Sequence, residues 1–195
     1  MSRRKPVRSY HHRNLKTALK QAALKLVRAK GPRGFSLNEA SRLAGVTVAA
    51  PYRHFKDKEA LLAEIACEGN AILLKEVQEA ASKPSTVKER MLEAGLAYLR
   101  FSSRHSDYFD VIFNSSIDKE KYPEVHRTGM EALGVISDLA KQYEHTPELA
   151  EARAVSAWAL VHGLAALCAD GALSAKNNFA ELRPLLERFL DEPYK

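Results

Sequence analysis

Residues 36–62 read SLNEASRLAGVTVAAPYRHFKDKEALL, and the fold turns on how this stretch is punctuated. Ser36 with Glu39 three residues later is a capping box, in which a hydroxyl and a carboxylate take up orphan amides at a helix start. A short helix follows to about Leu43, Gly45 supplies a turn, and Thr47 is placed to cap a further helix reaching Phe55. Leu37, Ala40, Leu43, Ala44, Val46 and Phe55 then make a small core between the two, the pattern of a helix-turn-helix.

Outward from this stretch, apolar residues recur every three or four positions and no segment shows sustained alternation. A first helix is expected from Leu15 to Ala29, with Leu19, Ala22, Ala23, Leu26 and Val27 in one stripe and Gly31, Pro32 and Gly34 at its end. Asp57 opens a long helix toward Ala81, which Lys83-Pro84-Ser85 breaks. Thr86 with Glu89 is a second capping box for a helix to about Ser103, and Ser106 starts another that ends before Asn114. Pro123 and Pro147 suit first turns of helices running to Tyr143 and Gly171, and a last one spans about Phe179 to Leu190. The expectation is an all-α chain of about nine helices. A basic tail, 1–12, precedes a three-helix head, 13–58, and a larger helical body, 59–195.

Charge divides along the same line. Residues 1–60 carry 15 Lys/Arg against 3 Asp/Glu, and residues 61–195 carry 15 against 21, so a head of +12 sits beside a body of −6. That points the head at a polyanion. No uninterrupted apolar run approaches the roughly 18 residues of a membrane span, and the basic N-terminus is not followed by a secretory apolar segment. Cys67 and Cys168 are too few for a disulfide scaffold, so a cytoplasmic chain without membrane or cofactor is expected. Motifs of serine hydrolases, zinc proteases and phosphate-binding glycine loops are all missing, and His162 and Cys168 lie six apart on one helix, facing different sides; an enzyme is not expected.

If the helix after Gly45 enters a major groove, Thr47, Val48, Ala49, Ala50 and Arg53 face the bases. Arg53 suits the guanine edge, and the methyls of Val48, Ala49 or Ala50 suit thymine. Tyr52, His54, Lys56 and Lys58 flank it with groups suited to phosphate oxygens. By spacing alone, a helical hairpin with a solvated cationic face remains open. The tail residues Arg3, Arg4, Lys5 and Arg8 suit an adjacent minor groove or a loose attraction to phosphates. Pro51 lies in the first turn of the reading helix, where it forfeits at most about one hydrogen bond. In the body, Tyr98, Phe101, Phe109, Phe113, Met130 and Trp158 fill a core or line an apolar cavity, with His105 and His162 as its polar handles or as ordinary core histidines.

Across residues 13–62 the chain resembles the DNA-binding domain of the TetR family. The carriers are Ala40-Ser41-Arg42-Leu43-Ala44-Gly45-Val46 and Tyr52-Arg53-His54-Phe55-Lys56-Asp57-Lys58-Glu59-Ala60-Leu61; many members have an aliphatic residue where Pro51 stands. Trp158-Ala159-Leu160-Val161-His162-Gly163 is similar to the W-x-x-x-HG signature of one C-terminal domain class of that family. The resemblance implies that residues 47–50 and Arg53 read bases, and that Ser36, Tyr52, His54 and Lys58 hold the backbone. It also implies a homodimer, joined through the last two long helices, on palindromic double-stranded operator DNA. A repressor released by a small apolar or aromatic ligand is the usual outcome, and a DNA-binding architectural protein without an inducer is the alternative.

Overall fold

Helix starts in this chain are set by side chains that accept the first free amides. In a computed structural model, which describes residues 8–174 and 177–192, Ser36 Oγ accepts from the Glu39 amide at 3.2 Å, and Glu39 Oε2 accepts from the Ser36 amide at 2.8 Å. Thr86 and Thr146 do the same for the amides of Glu89 and Leu149, at 3.2 and 3.3 Å, and Asp57 takes that of Ala60 at 2.8 Å. The resulting α-helices are α1 (Arg8–Lys30), α2 (Leu37–Leu43), α3 (Lys58–Ala81), α4 (Val87–Arg104), α5 (Ser106–Asn114), α6 (Pro123–Tyr143), α7 (Pro147–Ala169) and α8 (Arg183–Asp191). Two 3-10 segments, Pro51–Arg53 and Asn177–Leu182, complete the described residues, which contain no strand.

The architecture is therefore all-α as expected, with two differences. The helix expected over 47–55 is a turn followed by the 3-10 segment Pro51–Arg53. The last expected helix is divided: residues 177–182 wind as 3-10, Phe179 takes φ +67, and the α-helix begins only at Arg183, where Pro184 fits the first turn.

The residues form two compact units. The first holds the described residues to Ala66 together with Asp107–Tyr122. Its core comes from the α1 stripe Leu19, Ala22, Ala23 and Val27 with Phe35, Leu37, Ala40, Phe55 and Val111, all buried. Gly31, at φ +74, turns the chain out of α1 while its amide still reaches the Val27 carbonyl at 2.7 Å. Leu43, expected in this core, is instead 51% exposed, because α2 ends there and presents it to solvent.

The second unit, Cys67–Ser106 with the residues from Pro123 on, is organised around α4, which packs against α6, α7 and α8. Gly95 lets them close in: a Cβ there would stand 3.3 Å from Val161 and 3.6 Å from Leu186. Buried Asn70 ties α3 to α6 by donating to the Val125 carbonyl at 3.2 Å and to Thr128 Oγ1 at 3.0 Å. Arg153, 1% exposed, donates through Nε to Glu144 at 2.7 Å and through its other nitrogens to the carbonyls of Phe189 and Glu192, at 2.9 and 2.8 Å. With Tyr143 Oη donating to the Leu190 carbonyl at 2.8 Å, it fixes the C-terminal end of α8.

Candidate nucleic-acid interface

The segment after Gly45, at φ +70, is shaped by a missing amide. Pro51 has no N–H to give to Thr47, so the Thr47 carbonyl accepts from Ala50 at 3.0 Å and the Ala50 carbonyl from Arg53 at 3.3 Å, both bonds of the tighter winding. His54 and Phe55 then both donate to the Pro51 carbonyl, at 2.8 and 2.9 Å. The residue at the cap position is Ala50, with no side-chain cap; this replaces the α-helix capped by Thr47 that the sequence suggests.

Burial sorts this segment cleanly. Pro51 and Phe55 point into the first unit's core, the latter 1% exposed. Thr47, Val48, Ala49, Tyr52 and Arg53 are exposed, with Val48 at 48% and Tyr52 at 57%, while Ala50 and His54 are half-buried and Lys56 is exposed. Four of the five expected base readers and two of the expected phosphate ligands thus lie outward on one short element.

Two other expected phosphate ligands hydrogen-bond within the chain. The Ser36 hydroxyl donates to Glu39 at 3.0 Å as well as capping α2. The Lys58 ammonium donates to the carbonyls of Arg33, at 3.3 Å, and Phe35, at 2.9 Å, and lies 4.8 Å from the Phe35 ring centroid. Burial holds its pKa below the usual lysine value, with the charge of Glu39 opposing. The tail residues Arg3, Arg4 and Lys5 lie outside the described residues. So do the side chains of Arg8, His11 and His12, although α1 begins at Arg8.

The electrostatics of the unit keep its surface cationic. All four carboxylates of residues 1–66 are ion-paired: Glu39 with Lys30 at 2.7 Å, Glu64 with Lys16 at 2.6 Å, Asp57 with Lys121 at 3.2 Å, and Glu59 with the same Lys121. Lys25, Arg28, Lys30, Arg33, Arg42, Arg53 and Lys56 remain exposed. Arg28 Nη2 also pairs with the nearly buried Asp107 at 2.8 Å. Sequence reading missed Lys121 and Asp107, since partners 64 and 79 residues distant leave no local signal.

The expected ligand residues fall in both units. Phe109 and Phe113 belong to the first, their ring centroids 4.7 Å apart, with Phe109 buried. In the second unit, Tyr98 Oη lies 2.8 Å from His162 Nδ1 and also accepts from the Trp158 indole. Burial raises the Tyr98 pKa well above the phenol range and lowers that of His162. Phe101 is fully buried and His105, beside it, meets Glu76 at 3.2 Å. Met130 is 47% exposed and Trp158 40%.

Comparison with known proteins matches two stretches of the chain to family models. A family model for bacterial regulatory proteins of the tetR family matches residues 19–65, and one for the tetracyclin repressor-like C-terminal domain matches residues 91–192. No curated protein matches the chain. Among solved structures, a protein with unknown function from Rhodococcus sp. RHA1 has 25% identity and a TM-score of 0.77, over 94% of this chain and 97% of its own. A bacterial regulatory protein in the tetR family from Rhodococcus RHA1 has 17% identity and a TM-score of 0.70, over 91% and 93%. The fatty acid degradation regulator FadR from Bacillus halodurans has 12% identity and a TM-score of 0.74, over 97% and 96%. With the C-terminal model alone covering more than half of its length, the chain belongs to the TetR family and is a DNA-binding transcription regulator.

Proposed function

We propose that the chain is a repressor that grips a palindromic operator in the cytoplasm as a homodimer and lets go when a small apolar or aromatic ligand binds. The observation that carries the DNA part is the sorting of residues 47–55: Pro51 and Phe55 anchor the segment while Thr47, Val48, Ala49, Tyr52 and Arg53 face outward from a cationic unit. In this reading Arg53 donates a bidentate pair to guanine, Val48 and Ala49 meet thymine methyls, Ala50 adds contact at the edge, and Tyr52, His54 and Lys56 take phosphates. Ser36 and Lys58 contribute by holding the loop before α2.

Dimerisation is supported by apolar side chains left uncovered on the last long helices: Val155 at 51% and Leu167 at 46% on α7, and Leu185 at 45% on α8. By length and composition α7 is apolar enough to cross a membrane. A second copy covering that face accounts for it, and twofold symmetry then spaces two heads for a palindrome. The ligand contacts in this reading are Tyr98, Phe101, His105, Met130, Trp158 and His162 of the second unit; Phe109 and Phe113, expected with them, belong to the first. A ligand that prefers the non-binding state weakens DNA binding by its differential affinity, typically about 1–3 kcal/mol.

Selection of bound sequences from a random duplex pool tests the reading. A palindrome is expected, with Arg53→Ala relaxing one position in each half-site by about 1–3 kcal/mol. Binding with a steep salt dependence and no sequence preference overturns it.

A further inference from the structure

The first turn of α3 follows the reading segment directly, with only Lys56 between Phe55 and Asp57. Its three leading side chains reach two separate sets of partners. Asp57 caps the Ala60 amide and pairs with Lys121; Lys58 binds the carbonyls of Arg33 and Phe35; Glu59 accepts from the Asp118 amide at 3.0 Å and pairs with Lys121. The turn that fixes where the reading segment ends is therefore held from two sides, and one side is supplied by residues 118–122.

That side is built for rigidity. Asp118 Oδ1 accepts from the amides of Glu120 and Lys121, at 2.9 and 3.3 Å, which sets the backbone from which Lys121 reaches out. Tyr122 Oη donates to Asp57 at 3.4 Å, and the Lys121 ammonium lies 5.0 Å from the Tyr122 ring centroid. At the other end of the same stretch, the Asp107 carboxylate holds Arg28 near the end of α1. The family's C-terminal model runs through all of this stretch, yet Asp107–Tyr122 packs with the helix-turn-helix. Lys121 also stands between two carboxylates which, without it, repel each other beside groups that face phosphate.

We infer that Asp107–Tyr122 is a working strap of the DNA-binding head and that Lys121 is a positioning residue for sequence reading, acting through Asp57 and Glu59. The inference rests on the DNA-binding reading above. Loosening the strap leaves the phosphate-facing cations in place but lets the reading segment wander, so discrimination falls while generic attraction to DNA stays.

The test compares wild type, Lys121→Glu, Lys119→Glu and the charge swap Glu59→Lys with Lys121→Glu. Each is titrated with the duplex recovered from the random pool and with a scrambled duplex of equal length. Lys119 is an exposed neighbour, so its variant measures the effect of charge alone. The expected result is that Lys121→Glu loses roughly five-fold or more in affinity for the selected duplex relative to Lys119→Glu, with no such gap on the scrambled one. The swap, whose net charge equals that of wild type, re-forms the pair between positions 59 and 121 and recovers part of the loss. If Lys121→Glu fails to fold by circular dichroism, Lys121→Met, which keeps the aliphatic stem, carries the same comparison. Equal losses on both duplexes, equality with Lys119→Glu, or no recovery in the swap overturns the inference while the regulator reading stands. If wild type itself binds no duplex, both fall.

Discussion

The ammonium of Lys58 donates to the carbonyl of Phe35 at 2.9 Å and lies 4.8 Å from its ring centroid, so a lysine at the edge of the proposed DNA-binding surface is turned into the protein. Lys58→Met is expected to lower unfolding stability by about 1–2 kcal/mol, the worth of hydrogen bonds to a charged group. The slope of log affinity against log salt should stay at the wild-type value. A residue contacting phosphate would instead reduce that slope by about 1, so one salt titration decides between the roles.

Arg153 gives a second expectation. With its side chain 2% exposed and that of Glu144 9%, truncating the arginine leaves a nearly buried carboxylate and takes the donor from two backbone carbonyls. Arg153→Met should cost about 3–5 kcal/mol in chemical denaturation. Adding Glu144→Gln should recover a good part of it, because the stranded charge is removed along with its partner.

Two glycines should respond with opposite sign. A Cβ at Gly34 would lie 2.1 Å from the Lys30 carbonyl oxygen and 2.9 Å from the Lys30 Cβ, so Gly34→Ala forces the backbone apart and should destabilise by about 1–3 kcal/mol. Gly134, inside α6, has nothing within 4 Å of that position. Gly134→Ala should raise stability by about 0.5–1 kcal/mol through helix propensity, which thermal melting would show.

Glu39 supplies a pH dependence. The Lys30 ammonium, together with the Ser36 amide and hydroxyl, holds its carboxyl at about 2 against an ordinary 4.5. Because the folded-state value is the lower one, the stabilisation is complete above about pH 4.5 and drains away as pH falls toward 2. Denaturation midpoints across that window should drop more steeply for wild type than for Glu39→Gln, and a carboxyl resonance titrating near 4.5 would contradict the pairing.

Much of this could be read from residue order because the signals are local. Ser36 with Glu39, Thr86, Asp57, Pro123 and Pro147 each act within one turn, and each starts the helix it announces. The segment after Gly45 differs in its winding: the tighter turn depends on one absent amide at Pro51, which outweighs the cap that Thr47 offers. Leu43 was misplaced because apolar spacing marks a stripe, not where the stripe stops being covered. Lys58 looks like every other lysine of the basic head until Phe35 is brought to it. Lys121 with Glu59 and Arg153 with Glu144 are products of packing, and nothing in either neighbourhood of sequence announces them.

Within nine residues, Pro51 and Phe55 face inward while Val48, Ala49 and Arg53 face out. Inheritance can therefore treat the two sets separately. Changes at the outward positions leave the interior contacts intact, so under the proposed base reading a lineage carrying this head drifts to new operators one side chain at a time without first acquiring spare stability.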